Sequence, residues 1–88
     1  MRILGRNTLG DFQKSNKWLA TWLTELAHAR WWGPADVLKQ FPKAHAHSND
    51  LFLFQTEPKK YCIEVQFAFP QGIALITALT ELTENNNE

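Results

Sequence analysis

The segment from Lys60 to Phe69 alternates between large apolar side chains and mostly polar ones. Its apolar set comprises Tyr61, Ile63, Val65, Phe67 and Phe69, and the other set comprises Cys62, Glu64, Gln66 and Ala68. Successive side chains of a β-strand point to opposite faces of the sheet, so this pattern predicts a half-buried strand. One face of that strand contacts the core, and the mostly polar face is available for a functional site.

Chain length and composition restrict the class of protein. The 88 residues suffice for one small domain, which we expect to span residues 1–84, followed by a frayed polar tail at 85–88. Cys62 is the only cysteine, so no internal disulfide can form, and this composition is typical of a reducing compartment. The sequence contains neither an apolar run of about 18 residues nor a signal-peptide pattern, which favours a cytoplasmic protein without a membrane segment.

Charge is balanced overall but divided unevenly between the two halves of the chain. Residues 1–43 contain seven Lys/Arg and three Asp/Glu, a net charge of +4, whereas residues 44–88 contain two and six, a net charge of −4. Proteins that bind nucleic acid present a basic surface to phosphate, and here only the first half could supply one. A chance asymmetry on a mixed surface is the open alternative.

Helices are predicted throughout the first half, after a short apolar strand at 1–4. Asn7 or Thr8 can cap a first helix that reaches about Gln13. The Ser15-Asn16 pair precedes a longer amphipathic helix that reaches about Arg30, and its apolar stripe packs on the sheet: Trp18, Leu19, Trp22, Leu23 and Leu26. A third, short helix starts at Gly33-Pro34 and stops at Pro42, with an apolar side formed by Val37, Leu38 and Phe41.

Three strands are predicted in the second half of the chain. They comprise residues 51–55, 61–69 and 73–79, joined by turns at 56–59 and 70–72, and two such hairpins in succession form an antiparallel meander. The preceding segment, 44–50, is predicted to be a loop. Its two histidines, His45 and His47, have only one carboxylate, Asp50, and no cysteine nearby, so no metal site is expected. Helices on one face of a small antiparallel sheet form an α+β fold.

The four Trp residues cannot all face one core. Trp18 and Trp22 lie one helical turn apart, and Trp31 and Trp32 are adjacent. We expect Trp22 and Trp31 to be buried and at least one of Trp18 and Trp32 to be exposed. Because exposed Trp side chains are frequent in protein interfaces, Trp18 and Trp32 are candidate protein-binding residues.

With this order of elements, the chain resembles the HigB family of bacterial type II toxins, which share the RelE-like fold. Met1-Arg2-Ile3 with Thr8-Leu9 and Phe12 is similar to the start of that family. Trp31 with Pro34-Ala35-Asp36-Val37 and Phe41 resembles its W-x-x-P-A-D-V block. Lys60-Tyr61 is similar to the beginning of its N-K-Y-R strand. The resemblance extends over nearly the whole chain in order and spacing.

This resemblance implies a ribosome-dependent mRNA endoribonuclease that needs no metal or other cofactor. The implied partners are a cognate helix-turn-helix antitoxin, the ribosome and mRNA. Cleavage of this kind needs a base for the 2′-hydroxyl group, cations for the charged transition state and an acid for the leaving oxygen. By resemblance and position, the candidate catalytic residues are Lys60, Tyr61, Glu81 and Glu84. The candidate RNA-binding residues are Arg2, Arg6 and Lys59.

The chain departs from the family pattern at positions that carry the chemistry. The arginine after Lys-Tyr is Cys62 here, and the basic residue of the last strand is Ile76. The family's closing T-H-x-E-Y aligns with residues 80–84, which lack both the imidazole and the phenol. The site is therefore expected to present Cys62, Glu64, Gln66, Ile76, Glu81 and Glu84.

Two functions remain open at this point. In the first, the chain is an attenuated toxin in which Glu81 or Glu84 is the base, with Lys60 as the cation and Tyr61 as a hydrogen-bond donor. In the second, it is a catalytically inactive RelE-like binding protein, for example an inhibitor encoded by a phage or mobile element. Carboxylates repel a phosphodiester, which favours the second function, whereas the resemblance favours the first.

Overall fold

The computed structural model describes residues 1–12, 16–56 and 61–81 as a two-layer arrangement of helices and one mixed sheet. The sheet order is β1-β5-β4-β3-β2. Its strands are β1 (Arg2–Leu4), β2 (His45–Ala46), β3 (Leu51–Gln55), β4 (Tyr61–Ala68) and β5 (Ile73–Glu81). The helices are α1 (Lys17–His28) and α2 (Pro34–Gln40), and two 3-10 turns cover Arg6–Leu9 and Phe69–Gln71. The predicted α+β class is therefore confirmed.

The sheet differs from the prediction at both of its edges. Strands β2 to β5 pair antiparallel, as expected, but β1 pairs with β5 in parallel. The prediction of an antiparallel sheet was therefore wrong for β1. The predicted loop at 44–50 also contains β2, which pairs His45 with Leu53.

The helices form where the capping signals placed them, with one exception. Asn16 Oδ1 accepts a hydrogen bond from the Leu19 N–H at 2.9 Å and caps α1. Pro34 occupies the first turn of α2, where its missing N–H leaves no bond unmade. The helix predicted from Asn7 or Thr8 was wrong, because a 3-10 turn ends at Leu9. Its predicted end at Gln13 lies outside the described residues.

The core lies between the helices and one face of the sheet. Helix α1 buries its predicted apolar stripe at Leu19, Trp22, Leu23 and Leu26. The sheet contributes Phe52, Phe54, Ile63, Val65, Phe67, Ala74 and Ile76. In α2, Val37 is buried and Phe41 after it is half-buried, but Leu38 is 36% exposed, so the prediction that it belongs to the apolar side was wrong. The alternation in β4 is confirmed at its three central apolar positions.

A β-bulge in β5 changes which face its last residues occupy. Glu64 lies opposite Ala78 and Val65 lies opposite Ile76, which leaves Thr77 as the extra residue. The Thr77 hydroxyl donates to Glu64 Oε1 at 2.6 Å. After this extra residue Glu81 lies opposite Tyr61, and therefore on the helix-covered face of the sheet.

The N-terminal ammonium group connects β1 to the end of α1. It donates to the carbonyl oxygens of Leu26, Ala27 and Ala29 at 3.3, 2.9 and 2.8 Å. These carbonyls lie at the C-terminal end of α1, and a positive charge stabilises that helix end. Arg2 is thereby held at the same end of the molecule as the segment that follows α1. Within the described residues, no helix has the length and apolar character needed to cross a membrane.

Candidate functional site

The polar face of β4 lies on the side of the sheet opposite the helices. Its residues Cys62, Glu64, Gln66 and Ala68 are half-buried. Burial, and secondly the Glu64 carboxylate, raises the pKa of the Cys62 thiol. A thiol with a raised pKa is protonated at neutral pH and is therefore a poor nucleophile.

The charged groups on the two central strands are both acidic. Over their full described lengths, β4 and β5 contain Glu64 and Glu81 and no Lys, Arg or His. Carboxylates repel the phosphate group of an RNA substrate. Any cation that acts on a phosphate at this sheet must therefore come from outside these strands.

Tyr61 and Glu81 form a directly opposed pair at one end of the sheet. They are register partners in β4 and β5. The Tyr61 residue is half-buried, and its ring centroid lies 4.4 Å from that of Phe12. Glu81 is exposed. The Tyr61 carbonyl accepts a hydrogen bond from the Thr56 N–H at 3.0 Å, which fixes the start of β4. Two of the four predicted catalytic residues are thus neighbours, and the other two, Lys60 and Glu84, lie outside the described residues.

The predicted grouping of site residues on one face was wrong. Ile76 is only 2% exposed and lies opposite Val65 in the core, so its side chain does not face a ligand. Glu81 lies on the helix-covered face, whereas Cys62 and Glu64 lie on the opposite face. The bulge at Thr77 separates these residues, because one extra residue exchanges the faces of every later position in the strand.

The predicted RNA-binding arginines do not lie beside Tyr61 and Glu81. Arg2 is exposed and lies opposite Ile73. Ile73 pairs with Ala68, seven positions from Tyr61 in β4, a distance of about 23 Å along the strand. Arg6 lines a hollow against α1 together with Thr24 and His28. Lys59, the third residue of this set, lies outside the described residues.

The predicted burial of the Trp side chains is confirmed. Trp22 and Trp31 are 1% and 6% exposed, and Trp32 is 86% exposed. Trp18 is half-buried, stacks 6.0 Å from Trp22 between ring centroids, and lines a hollow of about 540 Å³ with Phe41 and Phe54. Trp18 is therefore mainly a packing residue, and Trp32 is the Trp side chain open to a partner.

Sequence reasoning missed the surroundings of Trp32. Arg30 lines two hollows that also include Trp32, one shared with Arg2 and the other with Lys39. The only sequence signal was the position of Arg30 directly before the Trp pair. Arg2 was assigned to RNA and Trp32 to protein, yet the two residues line the same hollow.

Neither metal chemistry nor known relatives assign a function to these residues. Across residues 1–12, 16–56 and 61–81, no group of three His, Cys, Asp or Glu side chains is placed to hold a metal ion. No protein-family model and no curated protein matches the chain.

Proposed function

We propose that the chain is a HigB-like toxin with a RelE-like fold, which cleaves mRNA on the ribosome with attenuated activity and is neutralised by a helix-turn-helix antitoxin. The observation that carries the proposal is the opposed pair Tyr61 and Glu81 at the end of β4 and β5. Further support comes from the segment that resembles the W-x-x-P-A-D-V block of the HigB family. In this segment Trp31 is a core residue and Pro34 begins α2. The block thus has a structural role that explains its residue types.

The proposed chemistry is general acid–base catalysis of 2′-hydroxyl attack on the adjacent phosphate. Glu81 removes the proton from the 2′-hydroxyl group as its oxygen bonds to phosphorus. The bond from phosphorus to the 5′-oxygen breaks, and the leaving oxygen takes up a proton from water. Tyr61 donates a hydrogen bond to the phosphate or the leaving oxygen. Lys60, directly before Tyr61 in the sequence, supplies positive charge to the transition state. Each well-placed donor or cation of this type stabilises a transition state by about 3 kcal/mol.

Attenuation follows from the residues that the chain lacks. Cys62 is uncharged with a raised pKa, and Ile76 is buried, so neither position supplies a cation. Loss of two such groups would slow cleavage by several orders of magnitude, although their effects need not add.

The test is cleavage of a defined mRNA on programmed ribosomes by the purified chain. We expect slow, ribosome-dependent cleavage, with a decrease of about 100-fold or more in Glu81→Gln. Glu25→Gln is the matched control, because Glu25 is exposed on α1 and its hydrogen bond from Gln40 can be kept by a glutamine oxygen. Equal cleavage by Glu81→Gln and the native chain would contradict the proposed role of Glu81.

A catalytically inactive binding protein, such as a phage or mobile-element inhibitor, is the second candidate. It is favoured by the acidic central strands and by the burial of Ile76. A combined Cys62→Arg, Glu81→His and Glu84→Tyr variant restores the family residues at three positions and leaves Ile76 unchanged. Ile76→Arg is omitted, because it would place a charge in the core. Growth arrest by this variant, with none by the native chain, would support the binding protein.

A further inference from the structure

Trp32 is held away from the core by a fixed backbone. Its N–H donates to Asp36 Oδ2 at 2.8 Å, which fixes the segment before α2. The preceding Trp31 is buried, and its Nε1–H donates to Gln40 Oε1 at 3.2 Å. The Trp32 indole is 86% exposed, so it contributes little to the core.

Cations lie in both hollows that Trp32 lines. One hollow, of about 540 Å³, contains Arg2 and Arg30. The other, of about 580 Å³, contains Arg30 and Lys39, together with His28 and the acidic Asp36. Asp36 already accepts the Trp32 N–H. The Trp32 surface, defined as Arg2, His28, Arg30, Trp32 and Lys39, therefore combines one exposed aromatic ring with positive charge on either side.

We propose that the Trp32 surface binds single-stranded nucleic acid. A base stacks on the Trp32 indole, and the adjoining phosphates contact Arg2 and Arg30 in one hollow and Lys39 in the other. Exposed aromatic rings beside cations are the features by which proteins bind single strands without reading their sequence. Anionic phosphates match the charge of this surface.

A protein partner fits this surface less well. Among the described large apolar side chains, only Trp32 is more than 40% exposed, and it stands between two groups of cations, whereas charged residues are depleted in the buried centre of protein interfaces. Arg2 of this surface also lies about 23 Å along the sheet from Glu81, because it lies opposite Ile73 at the other end of β5. Binding here is therefore separable from the proposed cleavage, and it holds whether or not Glu81 is catalytic.

Fluorescence anisotropy with labelled oligouridylate and oligothymidylate of about 12 nucleotides tests the proposal without ribosomes. At about 50 mM salt we expect binding that Trp32→Ala weakens roughly tenfold and Trp32→Phe largely preserves. Arg2→Gln and Arg30→Gln should each lower the slope of log K against log salt by about 0.7. Stronger binding of RNA than of DNA would indicate that the 2′-hydroxyl is also contacted.

Two matched variants control for nonspecific effects. Leu75→Ala removes an exposed apolar side chain from the far face of the sheet, and Lys17→Gln removes an exposed charge at the opposite end of α1 from His28. Neither should change binding. Absence of binding at low salt, unchanged binding by Trp32→Ala, or an equal loss in Lys17→Gln would overturn the proposal. Equally tight, Trp32-dependent binding of an acidic peptide would also overturn it, in favour of a protein partner.

Discussion

At the scale of single residues, the environment of Cys62 sets its reactivity. Burial, and to a smaller extent the Glu64 carboxylate, raises the thiol pKa. Because the folded pKa exceeds that of the unfolded chain, the folded state holds this proton more tightly. The resulting stabilisation is complete below the ordinary thiol pKa and is lost as the pH rises through the raised value.

Alkylation with iodoacetamide as a function of pH measures this effect. The midpoint of the rate profile should lie at higher pH in the folded protein than in the urea-unfolded chain. Glu64→Gln should lower the folded midpoint only part of the way, because burial is the larger cause and remains. A folded midpoint equal to or below the unfolded one would show that the site does not disfavour the thiolate.

At the scale of the elements, Gly5 permits the close contact between β1 and β5. Its φ is +83°, and an added Cβ would overlap the carbonyl oxygen of Ile76. Gly72 has a similar φ of +67° but open space around the Cβ position. Gly72→Ala should therefore cost about 1 kcal/mol of unfolding free energy for the left-handed backbone alone, and Gly5→Ala more than about 2 kcal/mol.

Urea unfolding, monitored by circular dichroism, measures the free energy of unfolding of these two glycine variants. Both should lower the midpoint without changing the slope, which reports the surface exposed on unfolding. Similar losses in the two variants would mean that the strands can separate at Gly5 without cost.

The elements also show which features the sequence could predict. Three predictions from local signals are confirmed: capping by Asn16, Pro34 at the start of α2, and the alternation in β4. The bulge at Thr77 has no local signal, because β5 was apolar on both parities and an extra residue leaves that pattern unchanged. The parallel pairing of Arg2 with Ile73 joins distant parts of the chain, which periodicity does not report. The prediction that Ile76 lines the site was wrong because Ile76 faces the core. The prediction that Glu81 shares a face with Glu64 was wrong because of the bulge at Thr77.

At the scale of the whole molecule, the Tyr61–Glu81 pair and the Trp32 surface lie towards opposite ends of the sheet. The core between them includes Trp22 and Trp31, whose rings contact Phe54 and Phe67 at centroid distances of 5.3 and 5.5 Å. Among the described side chains, Trp22 Nε1–H is a buried donor without a hydrogen-bond partner. The burial of Trp22 is therefore stabilising through apolar contact, whereas Trp32 has almost no such contact.

This difference predicts opposite effects of removing the two indoles. Trp22→Ala should lower the free energy of unfolding by about 3–5 kcal/mol, a large fraction of the stability of a small domain. Trp32→Ala should change it by less than about 0.5 kcal/mol, because an exposed ring buries little surface in the folded state. Urea denaturation of both variants measures these values directly. A loss above about 1 kcal/mol in Trp32→Ala would assign Trp32 a structural role, and weaker nucleic-acid binding by that variant would then report a disturbed fold.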